Sequence, residues 1–331
     1  MTDRNYNGAP EDAAVKGKVR RQKKEKVKRP LWWEIGSWVL TLLSAVVIAM
    51  ALRTCLFEFV KVDGESMMDT LSNGEIMLVG KTGFSGAWVT MPFTSDEARE
   101  DAPKITLFGD PARFEPVICR YPDRGTTNFV KRVVGLPGDM VELKDGWLYI
   151  DGVKQDEAYV NDSYRSGSAN TMEAVRVPKK GDTLTFDGNE FLVNGAEYSY
   201  GYAKVMLSGE AKSIRLLHSG FANAFMLKTA SETYITDGTT WLRVVPQATE
   251  NSRRFTYYNN QQSITEIQVE TLTEAPLQAQ DFTVAEDSYF VMGDHRNNSR
   301  DSRWVGALPR SYLMGGVRSV IWPIGSWRGV E

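Results

Sequence analysis

In MVELKDGWLYIDG, residues 140–152, two apolar runs flank Asp145 and Gly146, residue types that accept the positive backbone angles of a tight turn, so the stretch reads as a β-hairpin. Its outline returns 43 residues later (181 minus 138), where GDTLTFDGNEFLVNG from Gly181 aligns without gaps on GDMVELKDGWLYIDG from Gly138. Either one hairpin has been duplicated or two have converged on one pattern. Around them FEFVKV, EIMLV, PVICRY, NFVKRVV, SYFVMG and VRSVIW are short β-branched or aromatic runs between Gly, Pro and Asp turns. The chain is therefore expected to be mainly β. A helix is expected around residues 221–232, and residues 82–112 read as a looser surface insertion with Gly, Pro, Ser and mixed charges. From Tyr159 to Asp287 there are strand and turn patterns but no concentrated chemistry, which points to an inserted second β-rich lobe.

The 331 residues, 42% of them hydrophobic, suffice for one large or two ordinary domains with a real core. The net charge of −3 hides a split: residues 1–30 hold ten Lys/Arg and four Asp/Glu, so this tail is +6 and the remainder −9 (−3 minus +6). A basic tail directly before an apolar run fits a cytoplasmic flank better than a nucleic-acid arm, and no nucleic-acid partner is expected. Cys55 and Cys119 suggest neither a disulfide framework nor a metal site and read as free thiols. His218 and His295 are the only histidines, and no zinc centre or other cofactor is expected.

IGSWVLTLLSAVVIAMAL, residues 35–52, carries no charge over 18 residues. As a helix it measures about 27 Å, close to the ~30 Å of a bilayer's hydrocarbon. Trp32, Trp33 and Trp38 suit the headgroup region near its first end, and the Lys/Arg excess before it places the amino terminus in the cytoplasm. Everything after Arg53 is then extracytoplasmic. A removable signal peptide competes with this reading, because AMA at 49–51 has the small, any, small pattern of a cleavage site. The long charged tail and the length of the apolar run favour a retained anchor.

Just beyond it, VDGESMMDTL, residues 62–71, sets Ser66 among Glu65, two methionines and Asp69. A serine is a poor nucleophile at neutral pH and needs a base. His295, in GDHRNNSRDSRWVG, is one candidate. Lys131, in NFVKRVVGLPGD, is the other; burial among apolar residues would lower its pKa from about 10.4 and leave it neutral. Strand alternation sends Lys131 to one face with Val133 and Arg132 to the other with Val130, so that one charge is buried and its neighbour solvated.

GESMMDTL, FVKRVVGLPGD and GDHRNNSRDSRWVG follow in this order after one amino-terminal span, and in this the chain resembles the type I signal peptidases. These are membrane enzymes that use a Ser/Lys dyad to remove signal peptides from secreted proteins. The resemblance covers the anchor and some four β-stretches, and implies a signal-peptidase-like β-sheet catalytic region. On it, the basic tail spans 1–30, the anchor 31–53, and the catalytic region 54–158 and 288–331 around a lobe at 159–287. It makes Ser66 the nucleophile and Lys131 the general base, with Ser299 hydrogen-bonding the lysine. Asp294, Arg296, Asp301, Ser302 and Arg303 become a structural polar network, and Val62, Met67, Leu71, Phe129 and Val130 match positions that line pockets for small substrate side chains. The Ser66 N–H would serve the oxyanion alone, since Gly64 stands where some members add a serine hydroxyl. That feature and the single span look like the Gram-positive form. Two positions depart from the family pattern: Asp69 replaces a proline and His295 an asparagine.

The implied partners are exported preproteins and membrane lipid, at a bacterial cell membrane crossed once. The alternatives are a histidine-assisted hydrolase using His295 and a catalytically silent, membrane-anchored β-protein that binds exported chains.

Overall fold

The computed structural model describes residues 30–81, 87–88, 104–105, 109–121, 124, 127–167, 170–187, 190–198, 201–218, 223–229, 231–236, 239–259, 263–276 and 281–330. The basic tail and most of the expected surface insertion lie outside them. The chain divides into two compact units, Met1–Val47 and Ile48–Glu331.

Leu31–Cys55 is one α-helix. Within it Leu31–Leu52, 22 residues of mean hydropathy 2.2, buries nothing in the protein, and Trp38 and Leu40 are 77% and 69% exposed. A helix apolar on every side has the length and composition of a membrane span. Two of its hydroxyls are satisfied internally, Thr41 donating to the Ser37 carbonyl and Ser44 to that of Thr41, each at 2.8 Å. Such pairing suits a surrounding that offers no hydrogen bonds.

The second unit is built of antiparallel strands. Among the described residues the first sheet runs in the order Phe57–Lys61, Ile76–Gly80, Leu313–Trp322, Pro116–Arg120, Asn128–Gly135, Ser288–Met292, Leu308–Pro309, with Arg328–Gly329 also pairing on Leu313–Trp322. Pro116–Arg120 and Ser288–Met292 are buried along their whole length, so both faces of the sheet's middle are covered. Asn128–Gly135 pairs with Pro116–Arg120 from Asn128 to Arg132. On its other side it meets Ser288–Met292 only through Arg132, Val133 and Gly135. One edge of Asn128–Val130 is therefore unpaired among the described residues.

The repeated outline is real in three dimensions. In the first copy Val141 pairs with Ile150 and Leu143 with Leu148; in the second, 43 residues on, Leu184 pairs with Val193 and Phe186 with Phe191. Each hairpin continues into a third strand, Val153–Lys154 or Ala196–Tyr198, through Asp151-Gly152 or Asn194-Gly195, whose φ values are 50° and 78° in one and 50° and 79° in the other. Even the side-chain bonds repeat: Met140 N–H donates to Asp151 at 3.0 Å, and Thr183 N–H to Asn194 at 2.8 Å. The buried faces of both copies join one apolar cluster with Phe225, Phe282 and Phe290.

Strand Met172–Arg176, inside the expected lobe, pairs across its expected boundary with Met140–Lys144. Further along, Glu210–His218, Asn223–Lys228, Thr233–Thr236, Trp241–Val245, Ser263–Thr271 and Ser252–Asn259 pair in succession, and His218 opposite Tyr258 closes the ring. Ala224, Ile235, Leu242, Tyr257 and Val269 form an apolar cluster of their own there. The helix expected at 221–232 is instead the strand Asn223–Lys228, paired on both sides. Two flanking strands satisfy its backbone, which outweighs the helix propensity of Ala, Met and Leu.

Candidate active site

Ser66 sits in a tight turn. Met68 N–H donates to the Glu65 carbonyl at 3.0 Å, and the N–H groups of Thr70 and Leu71 donate to the Met67 carbonyl at 3.1 and 2.7 Å. The turn needs positive φ at Gly64 (108°) and Asp69 (73°). A proline at position 69 would be locked near −65°, so the Asp69 departure marks a differently bent loop, with Asn161 Nδ2 donating to its carboxylate at 3.0 Å. The Ser66 carbonyl accepts from His295 N–H at 3.1 Å, while its own N–H donates to no group among the described residues.

Lys131 lies midway along Asn128–Gly135, opposite Val117, and is 2% exposed. Its Nζ is 2.7 Å from Ser66 Oγ and donates to the Val130 carbonyl at 2.8 Å. Burial pulls its pKa below the ordinary lysine value, more than the Asp301 and Asp294 carboxylates nearby push it up. The Cys119 thiol is itself driven up to about 12 by burial, so it stays protonated and neutral.

Strand alternation predicts Arg132 in solvent, yet it is 1% exposed. Both faces of its strand are covered, and the guanidinium is held by a two-point bond to Asp294 at 3.0 and 2.8 Å, by the Phe114 carbonyl and by the ring of Tyr159, 4.0 Å away. Thr70 Oγ1 also donates to Asp294, at 2.6 Å, tying the Ser66 turn to this pair. A buried guanidinium survives because its carboxylate is equally buried and fully bonded.

The rest of the third motif folds into the same network. Asp301, fully buried, accepts from Gly293 N–H at 3.0 Å and pairs with Arg303 at 2.8 Å. Burial raises its pKa, but the Arg303 charge and hydrogen bonds outweigh that and hold it below the carboxylate range. Ser302 Oγ accepts from Val291 N–H at 2.9 Å. Arg296 pairs with Glu157, which also binds Arg165. The Ser299 hydroxyl is buried beside Gly293 and makes no hydrogen bond of ordinary geometry among the described residues, though it is near enough to help stabilise ionised Asp301. The lysine amine is bonded to Val130 and Ser66, not to Ser299. The ring of His295 packs edge-on against Tyr164 with centroids 3.8 Å apart, and its Nδ1 has no hydrogen-bond partner among the described residues.

Nothing in the sequence marked Glu157, Tyr159, Arg165 or Asn170, whose Oδ1 accepts from Arg303; all four belong to a stretch without a motif. One signal was available: GDHRNNSRDSRWVG holds three arginines to two aspartates, so once buried it needs a carboxylate from elsewhere. Of the apolar candidates, Val62, Met67 and Leu71 are 5%, 2% and 1% exposed and pack in one core cluster. Side chains so enclosed offer almost no surface to a ligand. Phe129 and Val130 are half-buried, which leaves them surface to offer a ligand.

The family model for signal peptidase, peptidase S26, matches residues 35–322. A signal peptidase I of Bacillus licheniformis is 34% identical over 145 residues, 44% of this chain and 63% of that protein, so the chain spans just under two thirds of that relative's length. Signal peptidase I P of Bacillus subtilis subsp. natto is 30% identical over 47% of this chain and 74% of its own. A solved signal peptidase I from Enterococcus faecalis V583 overlays at 19% identity and a TM-score of 0.26 across 63% of this chain and 97% of that one, too loosely to bear on the site. With the family model running through the apolar helix, the Ser66 turn, the Lys131 strand and the buried Asp/Arg network, this chain belongs to the peptidase S26 family of signal peptidases.

Proposed function

We propose that the protein is a membrane-anchored serine endopeptidase that removes amino-terminal signal peptides from exported preproteins after small residues, with Ser66 as nucleophile and Lys131 as general base. The observation that carries this reading is the 2.7 Å approach of Lys131 Nζ to Ser66 Oγ, with the amine enclosed and its pKa lowered. An uncharged amine at that distance can take the hydroxyl proton as Oγ attacks the scissile carbonyl. The tetrahedral oxyanion is met by the Ser66 N–H, which the turn leaves unbonded. Collapse breaks the C–N bond, Lys131 returns the proton to the departing amine, and an acyl-Ser66 remains. Water, deprotonated by the same lysine, then attacks the ester; collapse breaks the C–Oγ bond, Lys131 returns the proton to Oγ, and the new carboxyl terminus departs, restoring the enzyme. The Val130 carbonyl orients the amine, the part the resemblance assigned to Ser299.

The preprotein segment is read as an added strand along the open edge of Asn128–Val130, beside the half-buried side chains of Phe129 and Val130. The apolar helix anchors the enzyme in a bacterial membrane, amino terminus inside and catalytic unit outside, where lipid and the ends of signal helices meet it.

Incubating the detergent-purified chain with a preprotein tests the reading. Ser66→Ala and Lys131→Ala are each expected to lower cleavage at least about 10³-fold while melting as folded proteins. Activity should rise toward alkaline pH as Lys131 loses its proton. Retained activity in Lys131→Ala, or an activity limb near the histidine value of about 6.5 abolished by His295→Ala, would sink it.

A further inference from the structure

We propose that Glu157 is a positioning residue for the nucleophile, acting through Arg296 on the backbone that holds the Ser66 carbonyl. The inference rests on the dyad reading above and extends it into a segment with no catalytic motif. The Glu157 side chain is fully buried. Its Oε1 takes Arg296 and accepts from Tyr159 Oη at 3.0 Å; its Oε2 takes Arg165 at 3.0 Å. Arg165 is fastened in turn to the carbonyls of Gly146 and Glu157 at 3.2 Å, so the carboxylate is moored to the first hairpin's turn.

From Glu157 the connection to the nucleophile is short. Arg296 Nε donates to the Gly293 carbonyl at 3.1 Å, and two residues on His295 N–H donates to the Ser66 carbonyl at 3.1 Å. There is no slack along this path. A Cβ at Gly293 would come within 2.5 Å of the Ser66 carbonyl oxygen, so the two backbones already touch. If Arg296 shifts, Gly293 and His295 shift with it and Ser66 cannot stay in register with Lys131. Burial opposes the Arg296 charge, and Glu157 more than compensates, holding its pKa above the ordinary arginine value. No other carboxylate among the described residues bonds to Arg296, so an uncharged residue 157 would leave that guanidinium without its anchor.

The test uses the full chain in detergent, with kcat and KM for preprotein cleavage measured from pH 6 to 10 for wild type, Ser66→Ala, Glu157→Gln and Glu157→Asp. Glu157→Gln is expected to lower kcat about 10- to 100-fold with KM within twofold, because a small misplacement of a nucleophile costs rate and not binding. Its alkaline limb should also move up toward the free lysine value, since a displaced Ser66 admits water to Lys131. Glu157→Asp, which keeps the charge, should recover part of the rate and part of the limb. Wild-type kcat and limb in folded Glu157→Gln overturn the proposal, as does a rate loss equal to the unfolded fraction with the limb unmoved. Should Glu157→Gln not fold, Glu157→Asp decides alone: a lowered kcat with a raised limb supports the proposal, and wild-type values of both overturn it. If Ser66→Ala cleaves like wild type, the dyad reading fails instead, whatever the Glu157 variants do.

Discussion

At Asp69 the family's usual proline would be wrong for this chain. Its φ of 73° lies in the left-handed region, which costs a branched L-residue energy and which proline cannot reach. Asp69→Pro is therefore expected to destabilise by about 1–3 kcal/mol and to slow cleavage. Asp69→Asn, which tolerates that region and can still meet Asn161, should stay within about 0.5 kcal/mol in thermal unfolding. A Pro variant as stable as wild type would mean that the turn is not bent as described. Lys131 makes a second demand at this scale. Its folded pKa lies below the unfolded value near 10.4, so between the two the unfolded chain binds more protons and stability rises with pH, by up to about 1.4 kcal/mol per pH unit. Lys131→Met should then melt above wild type at the acid end of that window, the gap closing near pH 10.4; a gap that does not change with pH would show that the amine is not desolvated. Ser66 and Lys131 were legible because each lies in a distinctive motif. Arg132 was misjudged because alternation says which side of a strand a residue takes, not whether that side is covered.

Two turns of the repeated meander separate strain from packing. Gly146 and Gly152 have φ of 81° and 78°, but a Cβ at Gly152 would meet nothing within 4 Å, whereas one at Gly146 would overlap the Arg165 backbone. Gly152→Ala should cost only the left-handed penalty, about 1–2 kcal/mol. Gly146→Ala must add the displacement of the segment that carries Arg165, and with it the mooring of Glu157, so its urea midpoint should fall further and its cleavage rate with it. Equal midpoints would break that link. The hairpins themselves were readable from local signals, because Asp-Gly and Asn-Gly turns fix register over a few residues. The closed ring of strands was not, since the pairing of His218 with Tyr258 spans 40 residues (258 minus 218) and leaves no periodic trace between them. For the same reason FANAFMLKTA reads as a helix in isolation: what makes Asn223–Lys228 a strand is its neighbours.

For the molecule as a whole, the apolar helix and the catalytic unit contribute separately. Leu31–Leu52 gives no buried side chain to any core, while the unit from Ile48 onward has its own apolar clusters. Ser66 follows Leu52 by 14 residues (66 minus 52), a tether whose reach is at most about 50 Å. On the proposed function, the helix would act within that reach by effective concentration: an enzyme confined to the layer that holds its substrate would meet it intramolecularly, without any new contact. A fragment starting at Leu56 is therefore expected to unfold at the wild-type temperature and to cleave a short soluble peptide within about twofold of the full chain's kcat/KM. Against a preprotein embedded in the same vesicles, at equal low enzyme concentration, it should be slower by about 10²-fold or more. Equal rates on the embedded substrate would remove the helix from substrate selection, and a lowered melting temperature would show instead that it is part of the fold.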